Sequence, residues 1–144
     1  FSGKDIVLSE ADISNLIRAK GAIYNAAEAL LRHMSMDFKD VKKIFLAGGF
    51  GSNLKIPQAI GIGLLPDVPI DRFLVVGNGS VQGAKAALLS REALKAMQEK
   101  VASKMTYFEL SVDPIYMNEY SACLFLPHTN IEKFPSVVLP PRKH

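Results

Sequence analysis

"IFLAGGFGSN", Ile44 to Asn53, is the stretch that decides the fold. A short apolar run stops at two adjacent glycines. A third glycine follows one residue later, then Ser52 and Asn53. The run from Lys43 to Ala47 reads as a buried strand. Glycines spaced this way let the backbone approach something closely. That something is either a bound phosphate or nucleotide, or a neighbouring helix beyond a tight turn.

A second apolar run, Phe73 to Val76, ends at Gly77-Asn78-Gly79. Both glycine clusters therefore follow short strands. In open α/β sheets, ligands bind beyond the carboxyl ends of the strands. Backbone N–H groups in such turns can cradle an anion, and backbone without side chains can face an adenine or ribose. The loop is no Walker motif, because no Gly-Lys-Ser/Thr follows. Nor does it have the G-x-G-x-x-G spacing of the dinucleotide fingerprint.

The flanking segments read as helices. Ser9 is an N-cap, with Asp12 in the reciprocal capping-box position and Leu8 and Ile13 at the staple positions. Ile13, Leu16, Ile17, Ile23, Ala27, Leu30, Leu31 and Met34 recur at helical spacing, which predicts one long helix over 10–33. Gly21 inside it suggests close packing against another element. Pro57 suits the first turn of a short helix over 57–64. Ser80 is the expected cap of an Ala/Gly-rich helix, and Ser90 that of a helix with Leu94, Met97, Val101 and Met105 as its stripe. "TYFELSV" alternates like a strand. Asp113-Pro114 starts a last helix, expected to reach about 124. From Pro127 on, an extended tail is expected. The order of elements implies an α/β fold with a small, mainly parallel sheet and flanking helices.

Composition bounds the function. Of 144 residues, 49% are hydrophobic and 22% charged, as in an ordinary globular domain. The net charge of +3 has no patch beyond the Pro-Arg-Lys-His end, so charge argues for no nucleic-acid partner. No apolar run approaches the ~20 residues of a membrane helix, and no signal peptide opens the chain. It begins at Phe1 without an initiator methionine, as a piece of something longer would. The single cysteine, Cys123, cannot build a disulfide, zinc site or cluster alone and reads as a buried reduced thiol.

Acid–base chemistry finds little support. Asp67 and Asp71 flank prolines as turn residues, Asp113 is a cap, and Glu109 points outward. His33 ends a helix, and His128 lies in the tail. Arg18 and Lys20 read as a solvated face. No spacing of His, Cys and carboxylates suggests a metal site.

"KKIFLAGGFGSNLKIPQAI" followed by "FLVVGNGSVQGAKAALLS" resembles the second half of an actin-like, ribonuclease H-like ATPase domain. That superfamily holds sugar and acetate kinases, heat-shock chaperone ATPases and actin. Gly48-Gly49 takes the position of its adenosine motif, Pro57 its helix start, and Gly83-Ala84 its hinge helix. The loop from Phe50 to Lys55 is longer than in the chaperones. A closer resemblance runs from about Asp5 to Thr129. "EADISNLIRAKGAIYNAAEALL", "AIGIGLLPDVPIDRFLVVGNGS" and "YFELSVDPIYMNEYSACLFLPHT" look like the C-terminal part of the ATP-dependent reductive activators of corrinoid proteins.

The resemblance implies a repair function. Corrinoid methyl-transfer systems work through Co(I), which oxidises to inactive Co(II). The activator passes one electron from a [2Fe–2S] domain, an uphill step driven by ATP and Mg²⁺ in the actin-like domain. With one cysteine, this chain leaves that cluster to another domain. Residues 1–127 would be the C-terminal ATPase subdomain, and 128–144 a tail. Gly48, Gly49, Phe50, Gly51, Ser52 and Asn53 would face the adenosine, with Gly77, Asn78 and Gly79 on the other side. The role of these nine is backbone approach and positioning, not proton transfer, so the chain alone is expected to hydrolyse little ATP. Expected partners are a corrinoid or corrinoid/iron–sulfur protein, the first ATPase lobe, and a second copy of itself, all in the cytoplasm. The alternatives are a docking or dimerisation module, carried by the aromatic-rich Tyr107–Pro127, and half of a small-molecule kinase. The strand at Lys43–Ala47 is expected to lack a sheet neighbour.

Overall fold

A computed structural model describes residues 7–139. The basic 141–144 end lies outside them. Helix α1 spans Glu10–His33, as its signals predict. The Ser9 hydroxyl accepts from Asp12 N–H at 3.2 Å, and the Asp12 carboxylate accepts from Ser9 N–H at 2.9 Å. Two otherwise orphaned N–H donors are satisfied by this box. Leu8 and Ile13, the expected staple pair, are both exposed.

Strands β1 (Ile44–Ala47) and β2 (Phe73–Gly77) form a two-stranded parallel sheet. The register pairs Ile44 with Phe73 and Ala47 with Gly77, with a shift between Leu46 and Ala47. Between them lie α2 (Gly48–Asn53) and α3 (Ile56–Gly61), with Pro57 in the first turn of α3. After β2 come α4 (Gly79–Leu89) and α5 (Arg91–Ala96), the latter running on as a π-helical turn, Met97–Val101. Asp113 caps the short α6 (Pro114–Glu119), accepting from Ile115 and Tyr116 N–H.

Several expectations are corrected. The strands are not fully buried. Phe45 and Val75 face outward, and no third strand lies beside β1 among the described residues. "TYFELSV" is not a strand. The Glu109 carboxylate accepts from Ser111 N–H and Oγ, bending the chain into a 3-10 turn, Leu110–Val112. Helix α3 stops at Gly61 because Gly63 turns the chain at φ +74°. Helix α6 stops at Glu119, and a 3-10 turn, Ala122–Leu124, follows. The cap of α4 is Asn78, not Ser80: its Oδ1 accepts from Val81 N–H at 3.0 Å. The Ser90 cap of α5 forms as expected.

The largest correction concerns which face of α1 is buried. Its apolar stripe stays largely open: Ile13, Leu16, Ile23, Leu30 and Met34 are exposed. Its buried face is Lys20, Gly21, Tyr24, Asn25 and Ala29. Against that face lies the chain after α6. A Cβ on Gly21 would sit 3.0 Å from Cys123 O, so a larger residue would have to push that backbone back by a few tenths of an ångström. Lys20, expected to be solvated, is fully buried and donates to the carbonyls of Phe125 and Pro127. Burial of its ammonium lowers its pKa. Asn25 donates to Tyr116 O at 2.7 Å.

The segment after Pro127 carries one 3-10 turn, Ile131–Lys133, yet it packs inward rather than trailing away. Phe134 is wholly buried and packs at a tilt against Tyr24, with ring centroids 5.3 Å apart. Ile60, Leu64, Leu65, Val68 and Phe73 complete this core.

Candidate functional site

The two glycine clusters emerge side by side. Ala47 and Gly77 are register partners at the carboxyl ends of β1 and β2. Gly48 (φ +82°) and Gly77 (φ +67°) both adopt the left-handed conformation that turns each chain off its strand. A Cβ on Gly79 would lie 3.7 Å from that of Ala47, which brings the start of α4 close to the end of β1.

The first cluster, expected as a loop, is the helix α2. Glycine is a poor helix former and fills three of these six positions, Gly48, Gly49 and Gly51, so propensity alone does not predict this helix. The Ser52 hydroxyl donates to Gly48 O at 2.8 Å, and Asn53 Nδ2 donates to Gly49 O at 2.7 Å. Both side chains are thus turned back onto their own backbone.

The glycines divide into two kinds. A Cβ on Gly51 would meet Leu46 C at 3.3 Å, so Gly51 packs against the strand. Among the described residues, a Cβ on Gly48 or Gly49 would meet nothing within 4 Å, so none of them requires glycine at Gly49 for space. Phe50 beside it is exposed, its ring free to present a flat apolar face. Across the gap, Asn78 is occupied as a cap. Gln82, a residue that sequence reading missed, donates to Val76 O at 3.0 Å and flanks Gly77. Its signal lay in its position one turn into the helix that leaves the second glycine cluster.

The open backbone suits an adenosine group. None of the nine site residues carries a carboxylate, so they offer Mg²⁺ no ligand of that kind. The arrangement can position a ligand and has no group to move a proton.

Elsewhere, the structure joins residues that sequence spacing left apart. Glu28, Cys123 and His128 converge in the core. His33 binds the Asp113 carboxylate and stacks on Phe108 at 4.9 Å. That contact is the main cause holding the Asp113 carboxyl below its ordinary value. No described helix is long and apolar enough to cross a membrane.

Two glycine turns on adjacent parallel strand ends, then a proline-opened helix and an Ala/Gly-rich helix, define one half of an actin-like nucleotide fold. The comparisons agree. The family described as the C-terminal domain of RACo, the ASKHA domain, matches residues 1–138, and the chain belongs to that family. The corrinoid activation enzyme RamQ of Eubacterium limosum is 32% identical over 118 residues, 82% of this chain and 20% of that protein. A solved reductive activator for corrinoid, iron–sulfur protein superposes with a TM-score of 0.86 at 48% identity. That match covers 93% of this chain and 21% of the activator. The chain thus spans about a fifth of the length of both relatives.

Proposed function

We propose that this chain is the nucleotide-binding C-terminal portion of an ATP-dependent activator that reduces Co(II) corrinoid to Co(I) on a corrinoid protein. The observation that carries the reading is the open backbone at Gly48 and Gly49, facing the second glycine turn across two parallel strands. Gly48, Gly49 and Phe50 take one side of the adenosine, and Gly77, Asn78 and Gly79 the other. Ser52 and Asn53 reach ribose or base by releasing their bonds to Gly48 and Gly49. Gly51 acts from below, by seating α2 on β1. The phosphates and Mg²⁺ fall to a first lobe outside this chain, and the electron to a [2Fe–2S] domain also outside it. We place the protein in the cytoplasm, where Cys123 stays reduced.

The exposed faces support that division. An apolar groove of about 410 Å³ runs along α1 and is lined by Ile23, Leu30, Met34, Phe38, Val41 and Ile44. Beside it the β1 edge has no partner among the described residues. We assign both to contact with the rest of the longer protein, since apolar surface of this extent and an open edge are both costly to leave in water. A docking role is the second reading. Met105, Tyr107 and Val112 are each more than 70% exposed, an apolar cluster suited to a corrinoid protein.

Calorimetry with ATP tests the site. Gly49→Leu is expected to abolish the binding seen with the unaltered protein while circular dichroism stays unchanged. Equal binding by the variant overturns the assignment. The chain alone is expected to turn over little ATP, and sustained Mg²⁺-dependent hydrolysis by it contradicts the proposed division of labour.

A further inference from the structure

We infer that Glu28, Cys123 and His128 form a divalent-metal site that ties the C-terminal segment to α1. The three come from different places: Glu28 from α1, Cys123 from the 3-10 turn after α6, and His128 from the segment beyond it. One ligand atom of each lies within 4.8 Å of the others. His128 and Cys123 are buried at 6% and 1% exposure. Two polar atoms at the cluster, His128 Nε2 and Glu28 Oε2, have no hydrogen-bond partner among the described residues. Buried polar atoms left so are rare in folded proteins and call for a reason.

The donor set has a definite chemistry. One thiolate, one imidazole and one carboxylate suit zinc or a similar borderline ion, with a fourth position open to water. Tetrahedral ligands stand roughly 3–4 Å apart, so the three atoms need only draw together slightly. Glu28 can spare the second oxygen, because Oε1 alone takes Lys133 at 2.6 Å and Arg32 at 3.2 Å. A surface cleft of about 330 Å³, lined by Tyr24, Glu28, Asn130 and Lys133, gives an access route.

Two features oppose the ion, and both yield. Asn130 N–H donates to His128 Nδ1 at 2.9 Å, which leaves the ring proton on Nε2. On binding, that proton moves to Nδ1, and exposed Asn130 turns its N–H to water. The loss is one hydrogen bond of modest net worth, small beside the affinity of a thiolate-containing site. The charges of Lys20 and Lys133 also stand near. The thiol therefore has to release its proton to solvent, so that thiolate and carboxylate together match the ion. Lys20 itself stays engaged with the Phe125 and Pro127 carbonyls.

Co²⁺ serves as the probe. Cys123 is the only cysteine in the 144 residues, so a sulfur-to-cobalt charge-transfer band has one possible source. Titrating the purified, chelator-treated chain is expected to produce that band with saturation at one equivalent, its loss on adding Zn²⁺, and a raised melting temperature. Cys123→Ser is expected to remove the band, and His128→Asn to weaken binding more than about tenfold. No thiolate band in the folded wild-type chain overturns the site, whether or not the variants fold. So does a band that His128→Asn leaves at full affinity.

Discussion

Lys20 shows how far one residue can depart from its type. Lysine on a helix reads as solvated because of its charge, and its small neighbours Ala19 and Gly21 do not by themselves say otherwise. Its burial is decided by carbonyls more than a hundred positions later, at Phe125 and Pro127. Removing it leaves a cavity and two unpaired carbonyls, so Lys20→Ala is expected to cost about 2–5 kcal/mol in denaturant unfolding. Lys20→Arg, with a rigid fork too large for the space, is expected to recover little of it. A different residue-scale effect concerns pH. The Asp113 carboxyl is held low, first by His33 and then by the α6 backbone. A depressed folded pKa stabilises above the unfolded value, near 3.9, and that contribution fades as pH falls through the folded pKa. Asp113→Asn keeps a competent cap. It is expected to flatten the acid limb of stability against pH below about 4, measured by unfolding at several pH values. An unchanged limb would show that the His33 contact contributes nothing.

Among the elements, those with end signals were the legible ones. The Ser9–Asp12 box, Pro57, Ser90 and Asp113-Pro114 each name a helix start through a specific hydrogen bond or fixed φ, and each holds. Helix ends were read less well, because Gly63 and the turn after Glu119 act through tertiary packing. "TYFELSV" has strand periodicity but no partner strand among the described residues, and pairing is what makes a strand. The buried face of α1 was illegible for a related reason. Periodicity marks the apolar face, whereas the C-terminal segment covers the face with Gly21, where backbone can come close. Gly63 is the matching point on the other side of that segment: a Cβ there would overlap Pro127 O, at a φ that disfavours other residues. Gly63→Ala is therefore expected to destabilise by about 1–3 kcal/mol, and Phe134→Ala by about 3–5 kcal/mol, in thermal or denaturant melts. A neutral Phe134→Ala would mean that the end of the chain adds nothing to the core.

At the scale of the whole molecule, the question raised by "IFLAGGFGSN" has a divided answer. The order of its glycines relative to "GNGSVQGA" was legible, and with it the class of fold. Which glycine does what was not, because that depends on how α2 sits on β1. Gly51 meets the neighbouring strand, whereas Gly49 faces open space. This separates stability from binding. Gly49→Ala places a good helix former in α2 and is expected to leave stability unchanged or raise it by up to about 1 kcal/mol. If the open space belongs to adenosine, the same methyl group weakens the nucleotide. Gly51→Ala is expected to do the reverse and lower stability through Leu46. The decisive measurement is ATP-dependent reduction of a Co(II) corrinoid protein, followed by visible spectroscopy. It compares the full activator proposed for this chain with its Gly49→Leu variant. Co(I) is expected to accumulate with ATP in the unaltered protein and not in the folded variant. Equal reduction by the two proteins, or reduction that ignores ATP, would contradict it.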